Sequence, residues 1–235
     1  MKVPEHIGII PDGNRRFAKR LLESPWKGHE WGIEKIKTVF DWCKELGIKN
    51  ITAYSLSIEN LNKRPKEELD FLLQLAKKEI NDTINNKNNF IFNNRVKVTF
   101  FGRKDMLPKD LVERMEVLED QTREHSDYTL NFAVAYGGRE EILNACKKIA
   151  VNVQSGLVKP NEITEEMIRR SLYTNGLKDP DLIIRTSENR MSGFLLWQSA
   201  YSEMAFIDAL WPELNKEQFM NAVNGYMEKE RRFGK

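Results

Sequence analysis

The chain has 235 residues and a mass of 27.5 kDa, with 40% apolar and 31% charged residues, a balance that excludes a disordered chain and an integral membrane protein. Its formal net charge of +2 and pI near 8.4 are too mild for a protein that wraps nucleic acid, although local basic clusters can still bind small phosphates. Cys43 and Cys146 each stand in an apolar-periodic stretch and read as buried thiols of a reducing compartment; with no signal-peptide pattern and no apolar run of bilayer length, a cytoplasmic enzyme of one domain, residues 1–235, is expected.

Six short apolar runs read as strands buried on both faces. "HIGII" is the first, and the turn and basic segment "PDGNRRFAKR" follow it. Ile33, Ile36, Phe40 and Cys43 then form a helical stripe that stops at Gly47. "NITAYSLS" is the second strand, and Leu69, Leu72, Leu73, Ala76 and Ile80 mark a helix after Pro65. The Asn-rich stretch "NDTINNKNNFIFNN" reads as a mobile connection. "RVKVTFFG" is the third strand, with a helix through Leu111, Met115 and Leu118 after Pro108. "YTLNFAVAY" is the fourth, and Ile142, Cys146, Ile149 and Val153 mark the helix that follows it. "DLIIRT" and "AFIDAL" are the last two, before a closing helix through Phe219, Val223, Tyr226 and Met227. Strand and helix alternating in this way predict an α/β fold: a six-stranded, mainly parallel central sheet surrounded by helices, with its site at the carboxyl ends of the strands.

Asp12 lies at such an end, between Pro11 and Gly13. One reading is a plain turn, for which Pro, Asp and Gly are each suited. The other is a phosphate cradle formed by the amides of Gly13 and Asn14 with Arg15 and Arg16. An acid beside a bare phosphate would repel it, so the second reading implies a divalent cation, Mg2+, bridging the two. The sequence has no P-loop and no G-x-G-x-x-G after a strand, and it lacks the paired DDxxD acids that all-helical prenyl synthases use.

Seven ordered blocks, "HIGIIPDGNRRFAKR", Gly28-His29, "YSLSIENLNKRP", "LNFAVAYGGREEI", "DLIIRT", "FLLWQSAYSE" and "ERRFGK", resemble the motif set of the cis-prenyltransferases, the undecaprenyl and dehydrodolichyl diphosphate synthases. The resemblance runs from His6 to Gly234. It implies condensation of isopentenyl diphosphate onto an allylic diphosphate, farnesyl or geranylgeranyl diphosphate, with formation of Z double bonds and an apolar tunnel for the product. It also implies a homodimer, with Arg232, Phe233 and Gly234 reaching the partner site, and allows transient contact with a membrane surface for product release. By the same resemblance Asp12 is the central catalytic carboxylate, and Gly13, Asn14, Arg15, Arg16, Phe17 and His29 hold the allylic diphosphate. Ser57, Ile58, Glu59, Leu61 and Arg64 belong to a closing loop, and Arg185, Arg190, Met191 and Ser192 to the pocket for isopentenyl diphosphate. Glu203 matches a second Mg2+ ligand. Asn60 matches the position implicated in proton removal, and since an amide is a poor base it is expected to orient a diphosphate oxygen or water that takes the proton. Leu130 matches a position at the tunnel floor.

The chain departs from the family pattern in places. Leu61 stands where an aromatic is common and Ile58 where Ser or Thr is common. One extra residue precedes Arg64, leaving Lys63 as a rival for the loop cation. "RTSENRMSG" is one residue short and carries Gly193 in place of Asn, which leaves open a short-chain or irregular coupling product. Two other classes stay in view: a magnesium-dependent diphosphate hydrolase, which needs no tunnel, and a non-catalytic accessory subunit of a dolichol-type synthase, which typically lacks the Asp12 cradle.

Overall fold

Residues 2–229 are described in a computed structural model. In chain order they form β1 (His6–Ile10), α1 (Asn14–Arg20), α2 (Gly28–Leu46), β2 (Asn50–Tyr54), α3 (Ile58–Lys63), α4 (Lys66–Asn85), α5 (Phe90–Asn93) and β3 (Val96–Phe101). There follow α6 (Lys109–Thr122), β4 (Tyr128–Ala133), α7 (Gly138–Gln154), α8 (Glu165–Ser171), β5 (Leu182–Thr186), β6 (Glu203–Ile207) and α9 (Lys216–Glu228). The apolar runs pair as one sheet in the order β3-β4-β2-β1-β5-β6, with every pair parallel. All five residues of β1 and of β5 are buried, as expected of central strands covered by helices on both faces.

This order places the functional end. From β1 the chain first builds β2, β4 and β3 on one side, then crosses to β5 and β6 on the other, so β1 and β5 flank the switch point where parallel sheets open a crevice at their carboxyl ends. The β1–α1 turn carrying Asp12 sits there, level with the end of β5 through the pair Ile10 and Arg185. One face of the sheet packs Ile7, Ile51, Val98 and Leu130 against α2, α4 and α6 in the larger core. The other face packs Ile10, Tyr54, Ile183 and Phe194 in a smaller, aromatic one.

Three expectations need correction. The Asn-rich stretch is ordered: α4 runs to Asn85 and α5 follows after four residues. Asn89 Oδ1 caps α5 by accepting from the amides of Ile91 and Phe92, its Nδ2 donates to the Thr83 carbonyl, and Ile91 is buried in the core. The asparagines are therefore caps rather than breakers. Cys146 is exposed, unlike buried Cys43, because α7 is rotated from the expected stripe and buries Glu141, Ala145 and Ile149. Glu141 is drawn inward by hydrogen bonds from Tyr136 Oη at 2.5 Å, Gln198 Nε2 at 3.0 Å and the Tyr173 amide at 3.0 Å, which satisfy a buried carboxylate. The last strand starts two residues earlier than read, at Glu203, and as an edge strand is only half-buried.

The core also sets an acid limit. His6 is enclosed in β1, with Nδ1 on the Lys178 carbonyl and Nε2 on Thr52 Oγ1, each at 2.7 Å; burial pushes its pKa down. His29 is pulled down to about 3 by burial and by the neighbouring Arg64 and Arg15. Both folded-state values lie below the unfolded value of about 6.5, so the unfolded chain binds more protons in between. Stability is complete above pH about 6.5 and falls as the pH drops, by up to about 1.4 kcal/mol per pH unit for each histidine. Urea midpoints at pH 7.5 and pH 5 measure this, and His6→Gln should flatten the dependence; equal midpoints would contradict it.

Candidate active site

Asp12 is held by its own main chain. Its amide donates to Thr186 Oγ1 at 3.0 Å, and its carbonyl accepts from Thr186 Oγ1 at 2.8 Å, Ser187 Oγ at 3.3 Å and the Trp211 amide at 2.8 Å. The turn then needs Gly13: its φ is +108°, and a Cβ there would stand 2.7 Å from Ser187 Oγ and 2.8 Å from Leu210 Cδ2, so any side chain is excluded. The carboxylate projects into an open polar basin of ≈ 1180 Å³. There its Oδ2 accepts from Arg185 Nη2 at 2.7 Å and its Oδ1 from Arg16 Nη2 at 3.3 Å.

Arg185 is 3% exposed. Its Nη1 donates to Ser192 Oγ at 2.6 Å and to the Arg190 carbonyl, so the shortened "RTSENRMSG" loop folds back over the guanidinium. Ser192 and Gly193 both take positive φ in that turn. Arg190 itself turns outward to Glu188 at 2.7 Å.

A second cluster faces the first across the basin. Arg64 Nη1 donates to Glu68 Oε1 at 2.7 Å and lies 3.1 Å from His29 Nε2, while Arg15 Nε is 3.5 Å from the same Glu68 oxygen. A guanidinium can only donate, so His29 Nε2 accepts and the neutral ring carries its proton on Nδ1. That Nδ1 lies 3.4 Å from the Asn14 amide nitrogen, while Asn14 Oδ1 is buried without a partner; turning the amide over places the oxygen where Nδ1–H donates and satisfies both. Burial, with Arg64 and Arg15 alongside, disfavours the His29 cation, and the neutral ring's one N–H is turned to Asn14. Gly28, the residue before it, is set by close approach: a Cβ would lie 1.9 Å from the Asn14 carbonyl oxygen.

The basin gathers most of the residues singled out above: Asp12, Gly13, Asn14, Arg15, Arg16, His29, Ser57, Glu59, Asn60, Arg64, Arg185, Arg190 and Ser192 all line it. Ser57 caps α3 by accepting from the Asn60 amide at 3.1 Å, which fixes Glu59 and Asn60 on the first turn of the loop. Arg64 rather than Lys63 makes the inner contacts, although both line the basin. Five expected residues line neither cavity. Phe17 packs edge-on against Trp31 at 5.3 Å, Leu61 and Met191 pack on the two cores, and Ile58 meets Tyr136 through its amide. Glu203 opens β6 and pairs in register with Leu182, four strand positions, about 13 Å, before the Thr186 that holds Asp12. It pairs with Lys229 at 2.5 Å and cannot share an ion with the Asp12 of its own chain.

Glu68 was not singled out from the sequence, where it is one of two adjacent acids in the first turn of an amphipathic helix. Its burial to 2% makes it the common counter-charge of Arg15 and Arg64. Glu68→Ala is expected to cost about 3 kcal/mol by leaving the enclosed Arg64 guanidinium unpaired, with half-exposed Arg15 losing the same partner, whereas Glu23→Ala, which breaks the exposed pair with Lys27, should cost less than about 1 kcal/mol. Denaturant unfolding of the two variants checks the contrast; equal losses would contradict it.

An apolar cavity of ≈ 250 Å³ adjoins the basin, and Pro11, Asn14, His29 and Ser55 line both. It runs between the larger-core face of the sheet and helices α2, α4 and α6. Ile33 and Ile36 line it from α2, Leu72 and Ala76 from α4, Met115 and Leu118 from α6, and Val98, Phe100 and Leu130 from the strands. Leu130 is 1% exposed and lies between its register partners Ile51 and Val98. A charged basin thus adjoins an apolar cavity, with four residues lining both.

The prenyltransferase family model, described for undecaprenyl diphosphate synthase, matches residues 10–234. The chain belongs to that family. It is 46% identical over 235 residues to a tritrans,polycis-undecaprenyl-diphosphate synthase (geranylgeranyl-diphosphate specific) of Methanopyrus kandleri, covering 100% of this chain and 86% of the relative. It is also 46% identical to an isoprenyl transferase of Thermus thermophilus, covering 99% and 89%. Among solved structures, lavandulyl diphosphate synthase from Lavandula x intermedia with dimethylallyl diphosphate superposes with a TM-score of 0.91 at 32% identity, covering 99% of both chains. This chain is therefore a cis-prenyltransferase, a transferase of prenyl groups, with the six-stranded α/β fold of the family.

Proposed function

We propose that the protein adds isopentenyl diphosphate units to an allylic diphosphate at the Asp12 basin and stores the growing chain in the cavity beneath it, yielding a polyprenyl diphosphate. The observation that carries this is that Pro11, Asn14, His29 and Ser55 line both the charged basin and the apolar cavity. A hydrolase would need the basin alone, and an accessory subunit would need neither its carboxylate nor its arginines. Geranylgeranyl diphosphate is the favoured primer, since the Methanopyrus kandleri and Pyrococcus horikoshii relatives are named as specific for it.

Among the described residues no group of three or more His, Cys, Asp or Glu could cage a metal. The donor set fits Mg2+ all the same, because this ion is commonly held by one or two carboxylates together with substrate phosphates and waters. Asp12 would hold it with the substrate's oxygens, and it would neutralise charge gathering on the departing diphosphate.

The chain's own residues do the rest. Arg15, Arg16 and Arg64, with neutral His29 beside them, anchor the allylic diphosphate where basin and cavity adjoin; Arg185, Arg190 and Ser192 anchor isopentenyl diphosphate. Arg64 and Arg185 each keep a buried Nε–H without a protein partner. Fixing both reactants beside one another supplies a proximity gain on the order of 7 to 11 kcal/mol, and donors already in place stabilise the leaving group most where its charge is greatest. Asn60 orients the oxygen that takes the proton released as the new double bond forms. Each added five-carbon unit gains about 4 kcal/mol by staying in apolar surroundings, which favours repeated extension over release.

A homodimer is supported by the edge strand β6, where Phe206 is 42% exposed, and by the adjacent Tyr201, 78% exposed. Arg232, Phe233 and Gly234, assigned to the partner's site, lie outside the described residues. No helix among the described residues is long and apolar enough to cross a membrane. The test is incubation with radiolabelled isopentenyl diphosphate, Mg2+ and C10, C15 or C20 allylic diphosphates. Label is expected in solvent-extractable lipid, most with C20; release of inorganic phosphate without labelled lipid would favour the hydrolase.

A further inference from the structure

The β4–α7 turn carries two costs that folding alone does not explain. Ala135, at its start, takes a φ of 45°, a left-handed conformation that strains any residue with a β-carbon. Glu141, in the first turn of α7, is 1% exposed and lies among donors that bear no charge: the Tyr136 and Thr174 hydroxyls, the Gln198 side-chain amide and the main-chain amides of Tyr173 and Thr174. Apolar residues of similar volume would serve stability as well. What a satisfied buried network supplies instead is a fixed direction.

Tyr136 lies between the two. It is fully buried, its Oη donates to Glu141 Oε2 at 2.5 Å, and its ring stands edge-on to Tyr54 at 5.9 Å and to Phe101 at 5.4 Å. Burial, and next the charge of Glu141, push the phenol pKa up, so the group stays a donor. The main chain of the same residue carries the segment between β2 and α3. Its carbonyl accepts from the Ile58 amide and from Tyr54 Oη, each at 3.0 Å, and its amide donates to the Leu56 carbonyl at 3.1 Å. Residues 56–58 thus hang from Tyr136. Ser57, which caps α3, passes that placement on to Glu59 and Asn60 in the basin.

We infer that Tyr136 is a positioning residue for the reaction: locked to Glu141 by its hydroxyl, it fixes the Ser57–Asn60 turn at the basin and so sets where Asn60 stands when the proton is released. The inference deepens the proposed function and rests on it for the role of Asn60. The hold on the turn is measured without chemistry, so the two can fail apart.

The test uses the full chain and two single variants. Tyr136→Phe removes the hydroxyl and keeps the ring and the main chain. Thr174→Val removes another donor to the same carboxylate, from a segment outside the turn. Hydrogen exchange at the Ile58 and Asn60 amides should be at least about tenfold faster in Tyr136→Phe and unchanged in Thr174→Val. With radiolabelled isopentenyl diphosphate, below the melting range of all three proteins, kcat should fall about tenfold in Tyr136→Phe while KM for that substrate stays within about twofold. Thr174→Val should match the parent in both. Glu141→Gln, which keeps the volume and takes the charge from the same bond, should shift exchange and kcat in the same direction as Tyr136→Phe. Parental kcat in Tyr136→Phe, an equal loss of kcat in Thr174→Val, or unchanged exchange in the turn would overturn the inference. Faster exchange in the turn without labelled lipid from any of the proteins would count against the proposed function and support the hold on the turn.

Discussion

Asp12→Ala should lower the turnover of isopentenyl diphosphate into lipid by at least about a thousandfold, the scale expected when a central, preorganised electrostatic group is removed. The main chain at this position is fixed independently of the side chain, by Thr186, Ser187 and the Trp211 amide, so the turn should survive. Arg185 loses a partner, however, and at 3% exposed it cannot turn to water. Asp12→Asn keeps an oxygen for that guanidinium and removes only the charge. If the carboxylate acts through its charge, the two variants should be almost equally inactive, while the Asp12→Asn protein melts closer to the parent than the alanine variant does. An Asp12→Asn protein that retained a tenth or more of parental turnover would contradict the role.

Ala76→Trp should shorten the product without stopping the chemistry. Ala76 lines the cavity from α4, away from the Asp12 basin. An indole there fills space that hydrocarbon would otherwise occupy, and overpacking should cost the fold about 1 to 3 kcal/mol. With a short C10 primer the first condensation is expected to proceed within about threefold of the parental rate, because the reacting ends and both anion anchors are untouched. Chromatographic sizing of the labelled lipids should show a distribution shifted down by one or more five-carbon units. Unchanged product length at undiminished rate would mean that the chain grows elsewhere.

Much of this architecture was legible in the residues. Strands buried on both faces are short and largely apolar, and β1, β2 and β5 are, so strand order aside, the sheet could be read directly. Asp12 was legible only in part: an acid between Pro11 and Gly13 just beyond a buried strand suits a plain turn as well as a phosphate cradle, and the family resemblance, not the local pattern, separated the two. The pairing of Asp12 with Arg185 was not, because it joins residues 173 apart. Glu68 was hidden by ambiguity, since an acid at a helix start is ordinarily stabilised by the helix dipole and left in solvent. The rotation of α7 was hidden as well: hydrophobic periodicity assumes that apolar residues face inward, and here a carboxylate satisfied by Tyr136, Gln198 and Tyr173 does. The ordering of Phe90–Asn93 depends on Asn89 capping and on Ile91 finding the core, facts of tertiary packing that composition does not carry. Glu203 shows the limit of matching motifs residue by residue, because a matched position need not stand beside its proposed partner within one chain.

The central claim is that one ligand spans the charged basin and the apolar cavity past the residues that line both. A crystal structure with an unreactive geranylgeranyl thiolodiphosphate and Mg2+ tests it most directly. The account predicts the diphosphate among Asp12, Arg15, Arg16 and Arg64, with the hydrocarbon passing Asn14 and His29 toward Leu130. A diphosphate bound in the basin with its tail lying over the protein surface, and the cavity still closed, would contradict it.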